Sequence, residues 1–501
     1  MKNLNKMGKL QSLVKDTAIY GLSSIIGRFL NYLLVPLYTA KMSVESGNYG
    51  IVTNIYAWTA ILLVLLTFGF ETTFFRFASK DNANVKKVFS MAMQVVGVLC
   101  CVFLLLVFLL LPSIAQRLGY SNNPEFIRMM AVVVALDALQ AIPFGLLRLQ
   151  KKAIKFASLK LLFIGMNITM NILAFVVLPK LAASYPDTFG GLYNPHNQAF
   201  YVFFINLVCT SLITLFLIPE LKMFRPTADF KMLREMLRYS WPLLLLGIAG
   251  ILNLNADKII YTWLVPGQKG IEELGVYGAC VKVAAIMAML MQAFRYAYEP
   301  FVFGNSKEKD SKQLYAKAMK YFIVIALMAF LVVVFYMDIL RHIINPGYWQ
   351  GLKVVPIIMA AEIFMGIYFN LSFWYKLNDE TYWGAIFSFI GCAVLFAVNI
   401  LFVPKYGYIA CAWASFAGYF SAMVLSYTVG QKRNAINYEM KEIFKYTALF
   451  AILYCISLAN PFENSIAKMA CNTALLFVYV AYFIKKDLPL KNMPIIGKFF
   501  R

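Results

Sequence analysis

The sequence predicts an all-α polytopic membrane protein with about fourteen transmembrane helices, arranged as two parallel-repeat lobes of six helices plus two C-terminal helices. Three observations carry this. Of the 501 residues, 61% are hydrophobic, well above the roughly 45–50% of soluble domains. Apolar runs of about 20 residues, the length that crosses a bilayer, recur along the whole chain. Short motifs return in order about 228 residues apart.

The composition also excludes function classes. With 14% charged residues and a mean hydropathy of +0.69, a globule could not hide its apolar surface, which argues against soluble enzymes, secreted domains and disordered chains. The net charge of +22 would suggest nucleic acid in a soluble protein. Here the basic residues cluster in the gaps between apolar runs, so membrane orientation accounts for them and no nucleic-acid partner is expected. The eight cysteines lie in apolar stretches and form no CxxC pair, and the two histidines, His196 and His342, fall in predicted loops. No metal or cofactor site is expected. The sequence shows no Walker A, dinucleotide-binding or HExxH motif, so no enzyme is expected.

The first run, 17–40, is too long for a signal-peptide core and reads as the first span. The others are read at 49–76, 88–112, 126–148, 155–179, 199–219, 236–262, 275–301, 316–338, 352–375, 381–403, 407–430, 442–460 and 464–484. An even number of spans puts both termini on one side. With residues near span ends counted in the adjoining loops, that side collects 33 of the 46 Lys and Arg residues, against 9 opposite and 4 deep within spans: Arg28, Lys258, Lys282 and Arg295. The positive-inside rule makes it the cytoplasmic side. Gathering of anionic lipid by the basic loops is a secondary possibility.

Tyr49-Gly50 returns as Tyr277-Gly278, Glu71 as Glu299, Gly119-Tyr120 as Gly347-Tyr348, and Asn171-Ile-Leu as Asn399-Ile-Leu. Asp137 and Glu362, Phe144 and Phe369, and Lys151 and Lys376 correspond 225 residues apart. Six helices per copy keep the copies parallel. The expected divisions are 1–220 (helices one to six), 221–435 (seven to twelve) and 436–501 (thirteen, fourteen and a cytoplasmic tail). Two such lobes suggest a transporter that alternates between inward-open and outward-open states.

A charge at the centre of a span costs about 2.5–3.5 kcal/mol on the insertion scale, so each needs a reason. Arg28 lies about 16 Å into its helix and shares a polar stripe with Tyr20, Ser24 and Asn31. A lumen-facing role competes with neutralisation by a carboxylate such as Glu71 or Asp257. Gln292, Arg295 and Glu299 share a face of helix eight, whereas Lys282 lies well round the helix from Arg295. Arg295 and Glu299 are spaced for an i, i+4 pair; the alternative expectation is that Glu71 and Glu299 pair with arginines across the lobes when an inner gate shuts. In Asn253-Leu-Asn255-Ala-Asp257-Lys258, the adjacent Asp and Lys do not share a helical face, so each is expected to find a partner elsewhere. Asp137 and Glu362 are symmetric midplane acids. They suit a coupling proton or Na⁺, or an interhelical clamp.

These residues resemble a family. The runs Asn255-Ala-Asp-Lys-Ile-Ile-Tyr261, Leu274-Gly-Val-Tyr-Gly-Ala-Cys-Val-Lys282 and Phe294-Arg-Tyr-Ala-Tyr-Glu-Pro300, with Tyr348-Trp-Gln-Gly-Leu-Lys-Val-Val-Pro356 and Leu371-Ser-Phe-Trp-Tyr-Lys376, are similar to bacterial Wzx-type polysaccharide flippases of the multidrug/oligosaccharidyl-lipid/polysaccharide exporter superfamily. The resemblance covers nearly the whole chain and is strongest over 240–430. It implies a monomeric inner-membrane flippase that moves undecaprenyl-pyrophosphate-linked oligosaccharide, amid membrane lipids and alongside glycosyltransferases and a polysaccharide polymerase. It also implies pyrophosphate contacts by cavity cations, carried onto Arg28, Lys258, Lys282 and Arg295; Asn31 and Asn255, polar neighbours of Arg28 and Lys258 in the sequence, join them as candidate substrate contacts. A multidrug or organic-cation exporter of the same superfamily and a lipid II flippase remain the alternatives.

Overall fold

The computed structural model describes residues 32–79, 84–305, 311–378, 380–460, 462 and 464–487, without the side chains of 296–297, 299–301 and 303–305. The described residues form helices joined by short turns, with no strand. Two compact units arise. One holds the residues up to Ala279 and Leu395–Ala414; the other holds Cys280–Val394 and the residues from Ser415 on.

The principal helices of the first unit are α1 (Leu34–Lys41), α2 (Asn48–Thr67), α3 (Phe70–Ala78), α4 (Val85–Leu109), α5 (Pro124–Leu149), α6 (Ala153–Ile172), α7 (Gln198–Phe216) and α8 (Phe230–Leu264). The N-terminal part of α9 (Gln268–Asn305) completes it. In the second unit, the rest of α9 is followed by α10 (Ser311–Phe335), α11 (Val355–Leu371), α12 (Phe373–Leu377), α13 (Tyr382–Tyr406), α14 (Tyr408–Arg433), α15 (Met440–Leu458) and α16 (Ser465–Asp487). The first unit borrows the C-terminal end of α13 and the start of α14.

Twelve stretches are long and apolar enough to cross a membrane among the described residues. Of the two other expected spans, the first lies mostly outside the described residues. The other is α15, a 19-residue helix whose first turns carry Lys441, Glu442 and Lys445. Large apolar side chains stand on the bundle surface: Leu105, Leu109, Leu401 and Phe477 are all at least 60% exposed. A face of that kind is stable only against lipid, and the protein is a multi-pass membrane protein.

Local chemistry explains where the helices break. The expected single span 49–76 is two helices, because Phe68 and Gly69 both take left-handed backbone angles, φ +49° and +71°. Gly69 also lets α8 come close: a Cβ there would lie 3.0 Å from Leu243 Cβ. The α5–α6 turn is a tight hairpin with Lys151 at φ +56°, closed by Lys152 N–H donating to Leu147 O at 2.9 Å. α6 runs into a five-residue π-helical turn, Leu173–Val177, ahead of Pro179, whose missing N–H breaks the regular ladder.

The first unit's core is a dense aromatic and aliphatic cluster around Phe70, Phe74, Phe89, Ala138, Ile142 and Met236, all fully buried. The repeat-related openings of α2 and α9 cross within this unit, where Gly50 packs on the Ile271 carbonyl and Gly275. In the second unit α15 and α16 pack on α10. Tyr479 OH donates to Val324 O at 3.1 Å, and Asn472 donates to Phe335 O at 3.2 Å. Lys320 is buried inside α10 between Asp487 at 2.7 Å and Glu439 at 2.8 Å. A buried ammonium requires such countercharge.

Candidate transport cavity

The break at Phe68-Gly69 and the α5–α6 hairpin together shape a cavity of about 530 Å³ inside the first unit. The hairpin sets α5 and α6 antiparallel, so the end of one faces the start of the other. Along α5, Asp137, Gln140, Phe144 and Arg148 recur at three- and four-residue spacing and form one stripe. α6 contributes Phe156, Lys160 and Phe163 in the same way, and α2 and α3 add Thr67 and Glu71.

Four charges therefore line one cavity in an apolar bundle. Arg148 is ion-paired with Glu71 and stacks over Phe75, 4.9 Å from the ring centre. Lys160 is accessible through the cavity, and its Nζ lies 4.0 Å from the centre of the Phe144 ring. Asp137 is its electrostatic partner; among the described residues Lys160 makes no direct ion pair. Gln140 braces α5 against α7, donating to Thr210 O at 3.0 Å and Thr214 Oγ1 at 2.8 Å. An aromatic face beneath an ammonium stabilises it without consuming its hydrogen-bond donors. The cavity can therefore receive an anion at Lys160, while Asp137 and Glu71 keep its net charge near balance.

The other candidates are distributed as follows. Arg28 and Asn31 lie outside the described residues, as does the side chain of Glu299. Asp257 is buried, and accepts from Tyr277 OH at 2.5 Å. The expectation that Asp257 and Lys258 look away from each other is corrected. The flexible Lys258 stem curls back, bringing Nζ within 3.1 Å of Asp257 Oδ1 and 2.8 Å of Leu254 O. Asn255 donates within its own helix, to Ile251 O at 3.4 Å. Glu71 takes its arginine from the same bundle, Arg148, not from across the lobes.

In the second unit Arg295 is exposed and lies 4.3 Å over the Phe369 ring. Lys376 shares that ring at 4.6 Å. Lys282 is exposed on α9 and Glu362 half-buried on α11. Asp137 and Glu71 are thus the two sequence candidates that share the cavity. Arg148 and Lys160 were absent from the candidate set because they sit near the ends of spans, where basic residues usually mark topology. Their place on the Asp137 and Phe156 stripes was the readable clue.

The fold is one shared with solved membrane proteins. The solved structure of lipid II flippase MurJ in an inward closed conformation matches with a TM-score of 0.71 at 14% identity, over 93% of this chain and 98% of that one. An inward-facing multidrug resistance MATE family transporter of the MOP superfamily matches with a TM-score of 0.63 at 14% identity, over 84% and 95%. No curated protein matches the chain. The chain belongs to the polysaccharide biosynthesis protein family, matched over residues 13–301. That match spans about three-fifths of the chain, and three of the five runs quoted above, at 255–261, 274–282 and 294–300, fall within it.

Proposed function

We propose that this protein is a flippase that translocates undecaprenyl-pyrophosphate-linked oligosaccharide across the bacterial inner membrane by alternating access, with both termini cytoplasmic. The observation that supports it most directly is the charged cavity holding Lys160 over Phe144 with no direct ion pair among the described residues. A pyrophosphate cannot cross about 30 Å of hydrocarbon unaided. A cation that keeps its donors free offers a site for phosphate oxygens inside the bilayer, and Arg28 adds a planar fork suited to the same group. The polyprenyl tail stays in lipid. Asp137 and Glu362 are the groups for a coupling proton or Na⁺, and Glu71–Arg148 is a pair that an opening bundle can exchange. Glycosyltransferases and a polysaccharide polymerase are the expected neighbours in the pathway.

Membership of the polysaccharide biosynthesis family favours this over drug export. Proteoliposomes test it. The reconstituted protein should move a fluorescent polyprenyl-pyrophosphate oligosaccharide from one leaflet to the other. If it instead carries an organic cation such as ethidium and leaves the glycolipid untouched, the exporter reading takes its place.

A further inference from the structure

Helix α8 spans 35 residues, more than the about 20 that cross a bilayer core. Trp241 and Trp263 mark where the core lies on it. They are 55% and 53% exposed and 22 residues apart, which is about 33 Å at 1.5 Å per residue, close to the roughly 30 Å of hydrocarbon. Tryptophans on a spanning helix sit at the two interfaces. Arg238 and Arg234, one and two turns before Trp241, therefore stand at the level of the lipid headgroups.

An open groove of about 780 Å³ runs along these turns. Phe230, Leu233, Leu237 and Trp241 recur in it at three- and four-residue spacing and form an apolar stripe. Phe230 is 79% exposed, so the stripe faces out of the bundle. Arg234 and Arg238 line one edge of it. Both are exposed, and among the described residues neither has a carboxylate within ion-pair distance. Lys231, exposed one turn earlier, adds to the positive edge. Glu235 is the one acid among the described lining residues and stands further round the helix. Two like charges a turn apart weaken a helix unless an anion offsets them.

The groove is held in place at both ends. Asp229 caps the helix, accepting from Met232 N–H at 2.9 Å, and pairs with Lys87 at 2.6 Å. The Trp241 ring packs on Phe68 with 6.4 Å between centres.

Charge and depth together define the occupant. Guanidinium groups take phosphate oxygens in a planar fork, and basic residues beside a bilayer attract anionic lipid. Leu237 and Trp241 continue the groove toward the hydrocarbon, where acyl chains lie. A zwitterionic headgroup would bring its own ammonium toward the arginines and gain less. We infer that this groove is a binding site for an anionic phospholipid of the surrounding bilayer, with its phosphate at Arg234 and Arg238 and its acyl chains against Leu237 and Trp241. The inference needs a membrane protein and does not rest on the flippase reading.

The full chain in non-ionic detergent is titrated with phosphatidylglycerol or with phosphatidylcholine of matched acyl chains, and bound lipid is counted by native mass spectrometry. Phosphatidylglycerol should bind about tenfold tighter or more. Arg234→Gln combined with Arg238→Gln should abolish that preference. Lys432→Gln combined with Lys441→Gln removes the same charge from exposed positions elsewhere and should leave it intact. A preference that is absent from the wild type, survives loss of the arginines or falls equally with the lysines overturns the site. Undecaprenyl phosphate that binds more tightly than phosphatidylglycerol, through the same arginines, overturns the phospholipid as occupant and puts the polyprenyl lipid in its place. A second measurement decides if the arginine variant does not fold. In the reconstituted wild type, brominated phosphatidylglycerol should quench tryptophan fluorescence more than brominated phosphatidylcholine at the same mole fraction, and Trp241→Phe should remove the excess. No excess, or an excess that Trp241→Phe retains, places any bound lipid elsewhere and overturns the inference.

Discussion

Lys160 Nζ stands 4.0 Å above the ring of Phe144, and the position 225 residues after that ring, Phe369, carries Arg295 at 4.3 Å and Lys376 at 4.6 Å. Each copy of the repeat thus sets cations over the same phenylalanine, supplied from different helices. The ring, not the cation, keeps its place in the repeat. An aromatic platform holds either kind of cation in a site of low polarity, where it contributes about 0.5–2 kcal/mol, and leaves the charge available to an anion.

Lys160→Ala should reach the membrane and lower glycan export at least tenfold. Lys160→Arg should recover part of it, since charge is kept while the point-like ammonium is lost. Arg28→Ala should behave likewise. Surface glycan measured against protein level is the check, and well-expressed, fully active alanine variants would remove both residues from the site.

Asp137→Asn and Glu362→Gln separate coupling from structure. At least one should change the pH or Na⁺ dependence of transport in proteoliposomes while leaving the protein folded. Unchanged ion dependence in both makes these acids interhelical clamps.

Gly69→Ala should destabilise the protein by about 1–2 kcal/mol, because alanine is strained in the left-handed region and its methyl would press on Leu243 Cβ at 3.0 Å. A lower melting temperature of the purified protein would show it. An unchanged one would mean that the Phe68-Gly69 break relaxes freely.

Asp229 caps α8, accepting from Met232 N–H at 2.9 Å, and pairs with Lys87 at 2.6 Å. Lys87 first, then the backbone N–H, hold its carboxyl below the usual carboxylate range. A lowered folded-state pKa means that the stabilisation is complete above about pH 4 and fades as pH falls through the folded value. Asp229→Asn should melt earlier than wild type at pH 7, and the gap should close in acid. A gap that does not narrow as the pH falls below about 4 would assign the effect to packing.

Labelling of single cysteines placed in the 180–198 loop tests the orientation. An impermeant maleimide should reach them in intact spheroplasts. Labelling only after lysis would invert the topology.

The helical character and the order of the spans were legible in the chain itself. A bilayer demands about 20 apolar residues per crossing and satisfies backbone polar groups only within helices, so hydropathy alone reports them. The repeat was legible too, since Asp137 with Glu362 and Phe144 with Phe369 keep a constant offset. Depth and direction were not. Arg148 and Lys160 are basic residues near span ends, and hydropathy cannot tell a side chain that snorkels to water from one that turns into a cavity. That was decided by Lys151 in a left-handed turn, which folds α6 back on α5 and brings Lys160 to Phe144. It was decided as well by Phe68-Gly69, which breaks the span and leaves Glu71 in reach of Arg148. Asp257 and Lys258 make the same point: helical spacing separates their faces, but a flexible four-carbon stem closes the gap. Periodicity follows from the backbone and the solvent, whereas pairing depends on where long side chains reach once the helices have packed.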